Sequence, residues 1–153
     1  MLLAPLWLLL LLLRGPWERL TRCNRPLGAW GESWAAWYLR AHGCTLLGRN
    51  VRPRRHEELD IVARRGPIYL FVEVKSRRTG AFARPLVAID TRKRNHLRSA
   101  ATHWLAQRGL LTTSLRYRFD AIEVIGLPGR GRPTIRWVQR LDLSRTRAPD
   151  LYD

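Results

Sequence analysis

The sequence predicts a single α/β domain in which one layer of β-sheet is flanked by helices, with elements in the order αβββαββ. Two stretches have apolar side chains at the 3.6-residue spacing that is typical of amphipathic helices. Around them, five short segments rich in β-branched and aromatic residues are bounded by turn residues, as expected for strands. The chain has 153 residues, enough for one hydrophobic core.

The first helix is predicted over residues 27–42. Glu32, Ala35 and Leu39 recur at helical spacing, which aligns this carboxylate with the apolar stripe of the helix rather than with solvent. Gly43 follows as a natural end of the helix.

The strands are predicted at residues 45–51, 58–63, 68–75 and 117–125 and after the loop 126–133. Gly66 and Pro67 lie between the second and third strands, which indicates a hairpin. In the fifth strand, Ile135, Trp137 and Leu141 are expected to share one face.

The second helix follows a polar loop at 76–84, and Asp90 is a candidate for its cap. Leu97 and Trp104 belong to its apolar face. The opposite face is basic and is expected to be exposed, with Lys93, Arg94 and Arg98.

Residues 1–26 are interpreted as an apolar and basic extension that is not part of the fold, residues 27–143 as the folded domain, and residues 144–153 as a loose tail. As a helix, residues 1–13 would reach about 20 Å, which is short of the roughly 30 Å hydrocarbon core of a membrane. A peripheral anchor and an artefactual upstream start codon are both open. We expect the artefact or a disordered tail.

The net charge is +16, from 28 Lys and Arg against 12 Asp and Glu. Such a field attracts polyanions, so nucleic acid or an anionic membrane surface is the first partner to consider. The alternative is an arginine-rich composition that has no partner. Cys23 and Cys44 match neither a disulfide framework nor a zinc motif, which predicts a reducing, cytoplasmic location.

Only two of the cations, Lys75 and Lys93, are lysine. Arginine is a planar fork that stays protonated, whereas lysine is a compact charge whose pKa moves readily when it is buried or crowded. A lysine retained in this composition is therefore a candidate for a role that arginine performs badly. Lys75 ends a strand and lies on the same face as Glu73.

The hairpin register places Asp60 opposite Glu73. Directly opposed residues have Cβ atoms about 5 Å apart, and like charges there are destabilising. The pair therefore suits a cation between its oxygens, with Mg²⁺ favoured and Mn²⁺ as an alternative. Lys75 would then steady a water nucleophile or the charge on a phosphate, and Glu32 would add a third carboxylate.

Each of these residues also has an interpretation without function. Asp60 could be a surface residue paired with arginine, and Glu32 could complement the positive end of its helix. A slip of one residue in the hairpin would send Asp60 to the other face. The conjunction of three acids with a rare lysine in a basic protein favours a functional site.

Motifs between residues 27 and 125 carry a family resemblance. They are Gly31-Glu32, Asn50-Val51-Arg52, Glu58-Leu59-Asp60-Ile61-Val62, Phe71-Val72-Glu73-Val74-Lys75-Ser76-Arg77 and Arg118-Phe119-Asp120. They resemble the YraN family, bacterial proteins with a restriction-endonuclease-like fold that is similar to archaeal Holliday-junction resolvases. The family implies a central mixed sheet flanked by helices. Glu57 is a departure, because the family usually has glycine there.

The resemblance implies that Asp60, Glu73 and Lys75 correspond to the acid and the Glu-x-Lys positions of a nuclease motif. It also implies that the carbonyl of Val74 is a metal ligand and that Glu32 matches the helix carboxylate of the resolvases. Family membership implies a fold more firmly than an activity.

Basic residues around this site are expected to contact phosphates without reading base sequence. They flank the two catalytic strands or lie on the second helix, and they are Arg52, Arg54, Arg55, Arg77, Arg78, Lys93, Arg94 and Arg98. For the helix, an ordinary solvated face is an equally good interpretation.

The leading hypothesis is a Mg²⁺-dependent endonuclease that acts on DNA, with branched or damaged DNA as candidate substrates. The runner-up is a non-catalytic nucleic-acid-binding protein of the same fold, and a third is a basic protein tethered to a membrane by residues 1–13. The complete set of acids and lysine favours the first, because a purely binding protein gains nothing from placing like charges together. We expect DNA as the partner, leave a homodimer open and do not expect membrane association.

Overall fold

The computed structural model describes residues 26–78 and 91–143. Four sequence-based expectations lie wholly or mostly outside these residues: the extension up to residue 25, the polar loop at 76–84, the capping role of Asp90 and the loose tail from residue 144. Among the helices of the described residues, none is long and apolar enough to cross a membrane.

The described residues form two helices and five strands, in the predicted order. The elements are α1 (Leu27–Ala41), β1 (Thr45–Val51), β2 (Leu59–Arg65), β3 (Ile68–Arg77), α2 (Thr91–Ala106), β4 (Arg116–Ile125) and β5 (Thr134–Val138). The type and order of the elements confirm the α/β prediction.

All five strands belong to one sheet in the order β1-β2-β3-β4-β5. Neighbouring strands are antiparallel except β3 and β4, which run parallel. A parallel pair needs a crossover connection, and α2 lies in that connection. The result is a mixed sheet with flanking helices, which is consistent with a restriction-endonuclease-like fold.

Each face of the sheet is covered by one helix. On the first face, Trp34 of α1 packs in a buried cluster with Val72 of β3. On the second face, Trp104 of α2 packs with Phe71, and their ring centroids are 5.8 Å apart. Because successive strand residues point to opposite faces, Glu73 shares the α2 face with Phe71.

The end of α1 is formed as the sequence predicts. Gly43 has φ 78, a conformation that a side chain disfavours. The N–H of Cys44 donates to the carbonyl of Leu39 at 3.0 Å, and the N–H of Gly43 donates to the carbonyl of Arg40 at 3.1 Å. This is a Schellman motif, so the last carbonyls of α1 are satisfied before the chain enters β1.

The predicted common face of Ile135, Trp137 and Leu141 is wrong for Leu141. Ile135 and Trp137 pack against the α1 cluster, whereas Leu141 packs against the α2 cluster. The reason is that β5 ends at Val138 and Arg140 beyond it has φ 58, so the alternation of the strand does not extend to Leu141. The fully buried Asp120 accepts the N–H of Arg140 at 2.9 Å and holds this turn in place.

Candidate active site

The hairpin of β2 and β3 has the register that the sequence predicts. Its pairs run from Arg65 and Ile68 at the turn to Ile61 and Val72. Continued by one residue, the register sets Asp60 opposite Glu73.

Asp60 lies where the main-chain pairing of β2 and β3 stops. Its Oδ2 accepts a hydrogen bond from the N–H of Val74 at 2.8 Å. The side chain therefore satisfies a strand amide at the point where the two strands separate. This bond orients the carboxylate of Asp60 towards the end of β3.

Glu73 is buried, with 2% of its side chain exposed, and both oxygens face lysine. Nζ of Lys75 donates to Oε1 at 2.7 Å, and Nζ of Lys93 lies 2.9 Å from Oε2. A buried carboxylate requires compensating charge. Both lysines of the chain supply it to this one residue.

Two other carboxylates, Glu73 and more weakly Glu32, act on the charge of Asp60. Burial raises the pKa of Asp60 to about 6, with the carboxylates of Glu73 and Glu32 contributing, while the Val74 amide and the Lys93 ammonium act to lower it. Like charges that share a site raise one another's pKa values. A divalent cation would relieve this repulsion.

Glu32 makes no contact with Asp60 or Glu73 among the described residues; it is 21% exposed, and its Oε2 lies 3.8 Å from the guanidinium of Arg49 on β1. It accepts a hydrogen bond from Nδ2 of Asn50 at 2.9 Å. Asn50 has φ 48, a conformation that asparagine tolerates better than most residues. Asn50 is not among the site residues predicted from the sequence, although it belongs to one of the family motifs.

Gly31 allows α1 to approach this end of the sheet. A Cβ atom at position 31 would overlap the Oγ and Cβ atoms of Ser76 on β3. The close approach requires glycine at this position. It brings Glu32, the next residue, beside the end of β3.

The donor atoms suit a divalent cation that keeps several waters. Glu73 Oε2 is buried and accepts no hydrogen bond among the described residues, although Lys93 lies beside it. Within the same residues, no three His, Cys, Asp or Glu side chains are grouped to hold a metal by themselves. Asp60 and Glu73 offer carboxylate oxygens, the kind of ligand with which Mg²⁺ is bound while it keeps several waters.

The arginines that flank β2 and β3 fall into two groups. Arg77 is committed to an ion pair, because its Nε lies 2.6 Å from Oε1 of the buried Glu123. Arg52 pairs with Glu58 at 3.2 Å, and both side chains are largely exposed. The second group consists of Arg54, Arg55 and Arg78, which are exposed.

The basic residues of α2 do not share one exposed face. Arg94 is 7% exposed, so its predicted place on the solvent side of the helix is wrong. The helix turn that points Arg94 inwards is also the one that brings Lys93 to Glu73. Arg98 is exposed, as predicted.

Lys93 lies at the site, which the sequence does not predict. The sequence predicts phosphate contacts for it on α2, yet its ammonium lies 2.9 Å from Oε2 of Glu73. The signal was present, because Lys93 is the second of only two lysines in an arginine-rich chain. Like Lys75, Lys93 is a candidate for a role that arginine performs badly.

Glu57 belongs to a different contact. It accepts from Oγ of Ser99 at 2.6 Å and lies 2.8 Å from Nδ1 of His103, both on α2. Burial would raise the pKa of Glu57, but these two hydrogen bonds outweigh it, so that the pKa is lowered. Glu57, which stands where the family usually has glycine, therefore connects the loop before β2 to α2 through these contacts.

The model of the uncharacterised protein family UPF0102 matches residues 31–124. The chain belongs to the UPF0102 family. The match begins at Gly31, the residue before Glu32, and ends within β4. It includes all of Glu32, Asp60, Glu73, Lys75 and Lys93. The resemblance to the YraN family is thereby confirmed.

UPF0102 proteins of several bacteria are similar to this chain. One of Leifsonia xyli subsp. xyli is 48% identical over 99 residues, which cover 65% of this chain and 81% of the relative. One of Streptomyces coelicolor is 40% identical over 109 residues, or 71% of this chain and 82% of the relative. One of Geobacter metallireducens is 42% identical over 101 residues, or 66% and 80%.

Proposed function

We propose that this UPF0102 protein is a Mg²⁺-dependent endonuclease that hydrolyses DNA phosphodiesters, with branched or damaged DNA as candidate substrates. The observation that carries the proposal is the pair of facing carboxylates, Asp60 and Glu73, with the ammonium of Lys75 2.7 Å from Glu73 Oε1. The two acids would bind a cation, and the neighbouring ammonium of Lys75 would stabilise the charge that develops on a phosphate.

Asp60, Glu73 and the main-chain oxygen of Val74 would hold the cation, with Mn²⁺ as a substitute for Mg²⁺. When bound, a divalent cation supplies Lewis-acid polarisation of a phosphate and a lowered pKa for water. The Val74 N–H keeps the carboxylate of Asp60 oriented. Lys75 positions the attacking water or neutralises charge that develops on the phosphate, and Glu73 holds its ammonium in place.

The proposed partner is DNA, bound through its backbone. The chain carries a net charge of +16, and Arg54, Arg55, Arg78 and Arg98 are exposed for phosphate contacts. Such contacts position a duplex without reading its sequence. Cys44 is a free thiol within the described residues, which suits the cytoplasm that we propose as the location.

Calorimetric titration of the full chain with Mn²⁺ and Mg²⁺, alongside a cleavage assay on duplex and branched DNA, tests the proposal. We expect Asp60→Asn to abolish both metal binding and cleavage. Glu58→Gln is the matched control, because it removes one acid two residues away whose partner is the exposed Arg52, and it should change neither.

Two results would count against the proposal in different ways. DNA binding with metal binding but without cleavage of any substrate would favour the non-catalytic nucleic-acid-binding alternative. Wild-type protein that binds no divalent cation would remove the metal-dependent mechanism itself.

A further inference from the structure

Lys93 and Lys75 hold opposite oxygens of Glu73, and they come from different elements. Lys75 follows Glu73 on β3 itself, whereas Lys93 reaches the carboxylate from α2. The remaining cations of the chain are arginine. The convergence of both lysines on one buried acid therefore indicates a requirement for an ammonium, on each side of the carboxylate.

The two contacts differ in kind. Lys75 donates a hydrogen bond of 2.7 Å to Oε1. Lys93 lies 2.9 Å from Oε2, yet this oxygen accepts no hydrogen bond among the described residues. Oε2 is thus balanced by charge while its lone pairs are not engaged in a directed bond. It is the oxygen of Glu73 that is better prepared to accept a different cation.

The charge of Lys93 acts on both facing carboxylates. Asp60 faces Glu73 in the register of the hairpin, and the ammonium of Lys93 at Glu73 is near enough to act on the charge of Asp60 as well. An ammonium that stabilises Asp60 and Glu73 together does what a cation bridging them would do. The two cations would compete, because like charges repel at short range.

We propose that Lys93 is a resident counter-ion of the metal site, whose ammonium neutralises Glu73 Oε2 in the metal-free protein and leaves that oxygen when a divalent cation binds. This proposal rests on the cation site of the proposed function. It assigns Lys93 a positioning role in the metal-free state and makes cation loading a displacement reaction.

The side chain of Lys93 is suited to such displacement. It is 36% exposed, so its end can move into solvent without crossing the core. An ammonium is a single charge on a flexible stem, whereas a guanidinium would grip the carboxylate with a rigid two-pronged geometry. Lysine is therefore the cation that can both compensate Glu73 and leave it.

Removing Lys93 should tighten metal binding. In calorimetry on the full chain at pH 7.5, Lys93→Met is expected to bind Mn²⁺ about tenfold more tightly than wild type, the scale of losing one partly screened charge at this separation. Arg92→Met is the matched control, since it removes the same charge from the exposed neighbouring position on α2. Its Mn²⁺ affinity should stay within about twofold of wild type.

Lys93→Gln provides a second variant in case Lys93→Met fails to fold, because glutamine keeps a polar group near Glu73 without carrying charge. Circular dichroism establishes that each variant is folded. Lys93→Gln should also bind Mn²⁺ more tightly than Arg92→Met. Equal or weaker affinity in the folded Lys93 variants overturns the proposal and means that Lys93 supports the metal site instead of competing with the metal.

The failure of this proposal can be told apart from the failure of the proposed function. Tighter Mn²⁺ binding by the Lys93 variants together with inactivity of wild type on every DNA substrate upholds the displacement and removes the nuclease function. DNA cleavage by wild type, without tighter Mn²⁺ binding by the Lys93 variants, overturns the displacement and upholds the nuclease function. Absence of Mn²⁺ binding in all the proteins overturns both.

Discussion

The N–H of Val74 donates a 2.8 Å hydrogen bond to Oδ2 of Asp60. One strand of the hairpin thereby fixes the acid of the other strand at the place where their main chains separate. The amide belongs to β3, which is paired with β4 throughout this segment, so its direction is set by the sheet. The hydrogen bond therefore sets the direction of the Asp60 carboxylate.

Lys75→Arg tests whether Lys75 takes part in the reaction or only compensates the charge of Glu73. The substitution keeps the charge but widens the group and prevents it from exchanging a proton. If Lys75 takes part in the reaction, single-turnover cleavage should fall by roughly 10²-fold or more, the scale of a positioned acid–base group. DNA affinity and Mn²⁺ affinity, measured separately, should survive.

The structure makes the competing interpretation concrete, because Lys75 does hydrogen-bond to Glu73. If compensation is its only role, arginine should serve nearly as well, and the rate should drop by less than about tenfold, or 1.4 kcal/mol of barrier. Unchanged turnover would retire the proposed role of Lys75.

The stability of the metal-free protein should depend on pH through Asp60. Burial, followed by the Glu73 carboxylate, raises the pKa of Asp60 from 3.8 to about 6. The folded state therefore favours the protonated acid, and this stabilisation is complete below the unfolded pKa and lost as the pH rises through about 6. Urea unfolding in EDTA should show wild type losing stability relative to Asp60→Asn between about pH 4 and pH 7.

The raised pKa of Asp60 should also make Mn²⁺ affinity depend on pH, in the direction opposite to its effect on stability. Because only the ionised carboxylate binds a cation, the Mn²⁺ affinity of wild type should rise as the pH increases from about 5 to 7. Titrations in matched buffers measure this rise. An affinity that is flat across the window would mean that Asp60 is not a ligand.

Arg78 is expected to contact a DNA phosphate. It is exposed and follows the end of β3, close in the chain to Lys75. Arg78→Ala should reduce the slope of log K against log salt by about 0.9 for duplex DNA, the contribution of one phosphate contact. Fluorescence anisotropy at several salt concentrations measures the slope.

Arg40→Ala is the control for this experiment, because Arg40 is exposed in the last turn of α1, away from the end that carries Glu32. It removes the same charge and should leave the slope unchanged. Equal losses for the two variants would show that binding follows net charge and not a defined footprint.

Gly31→Ala should displace α1 from the end of the sheet. The added Cβ would overlap Ser76, and overpacking of this kind costs about 1–3 kcal/mol. Urea unfolding should detect the loss, and Mn²⁺ affinity should fall as Glu32 moves. Adding Ser76→Gly should recover part of the stability, whereas no recovery would place the conflict elsewhere.

The sequence by itself determined the order of the elements and the facing of Asp60 and Glu73. Both follow from short-range rules. Hydrophobic periodicity indicates the type and order of the elements, and the alternation of a strand together with a tight turn sets which residues of the hairpin face each other. The buried stripe of α1, with Ala35 and Leu39, followed in the same way from helical periodicity.

Only the tertiary structure decided how α2 meets this hairpin. Periodicity indicates which residues share a face, but it does not fix how a helix is rotated and placed on a sheet after a crossover. The packing of Trp104 against Phe71 sets that placement, and it buries Arg94 while bringing Lys93 to Glu73. These contacts join residues far apart in the chain, so their geometry depends on the packing of the whole core and not on any local pattern.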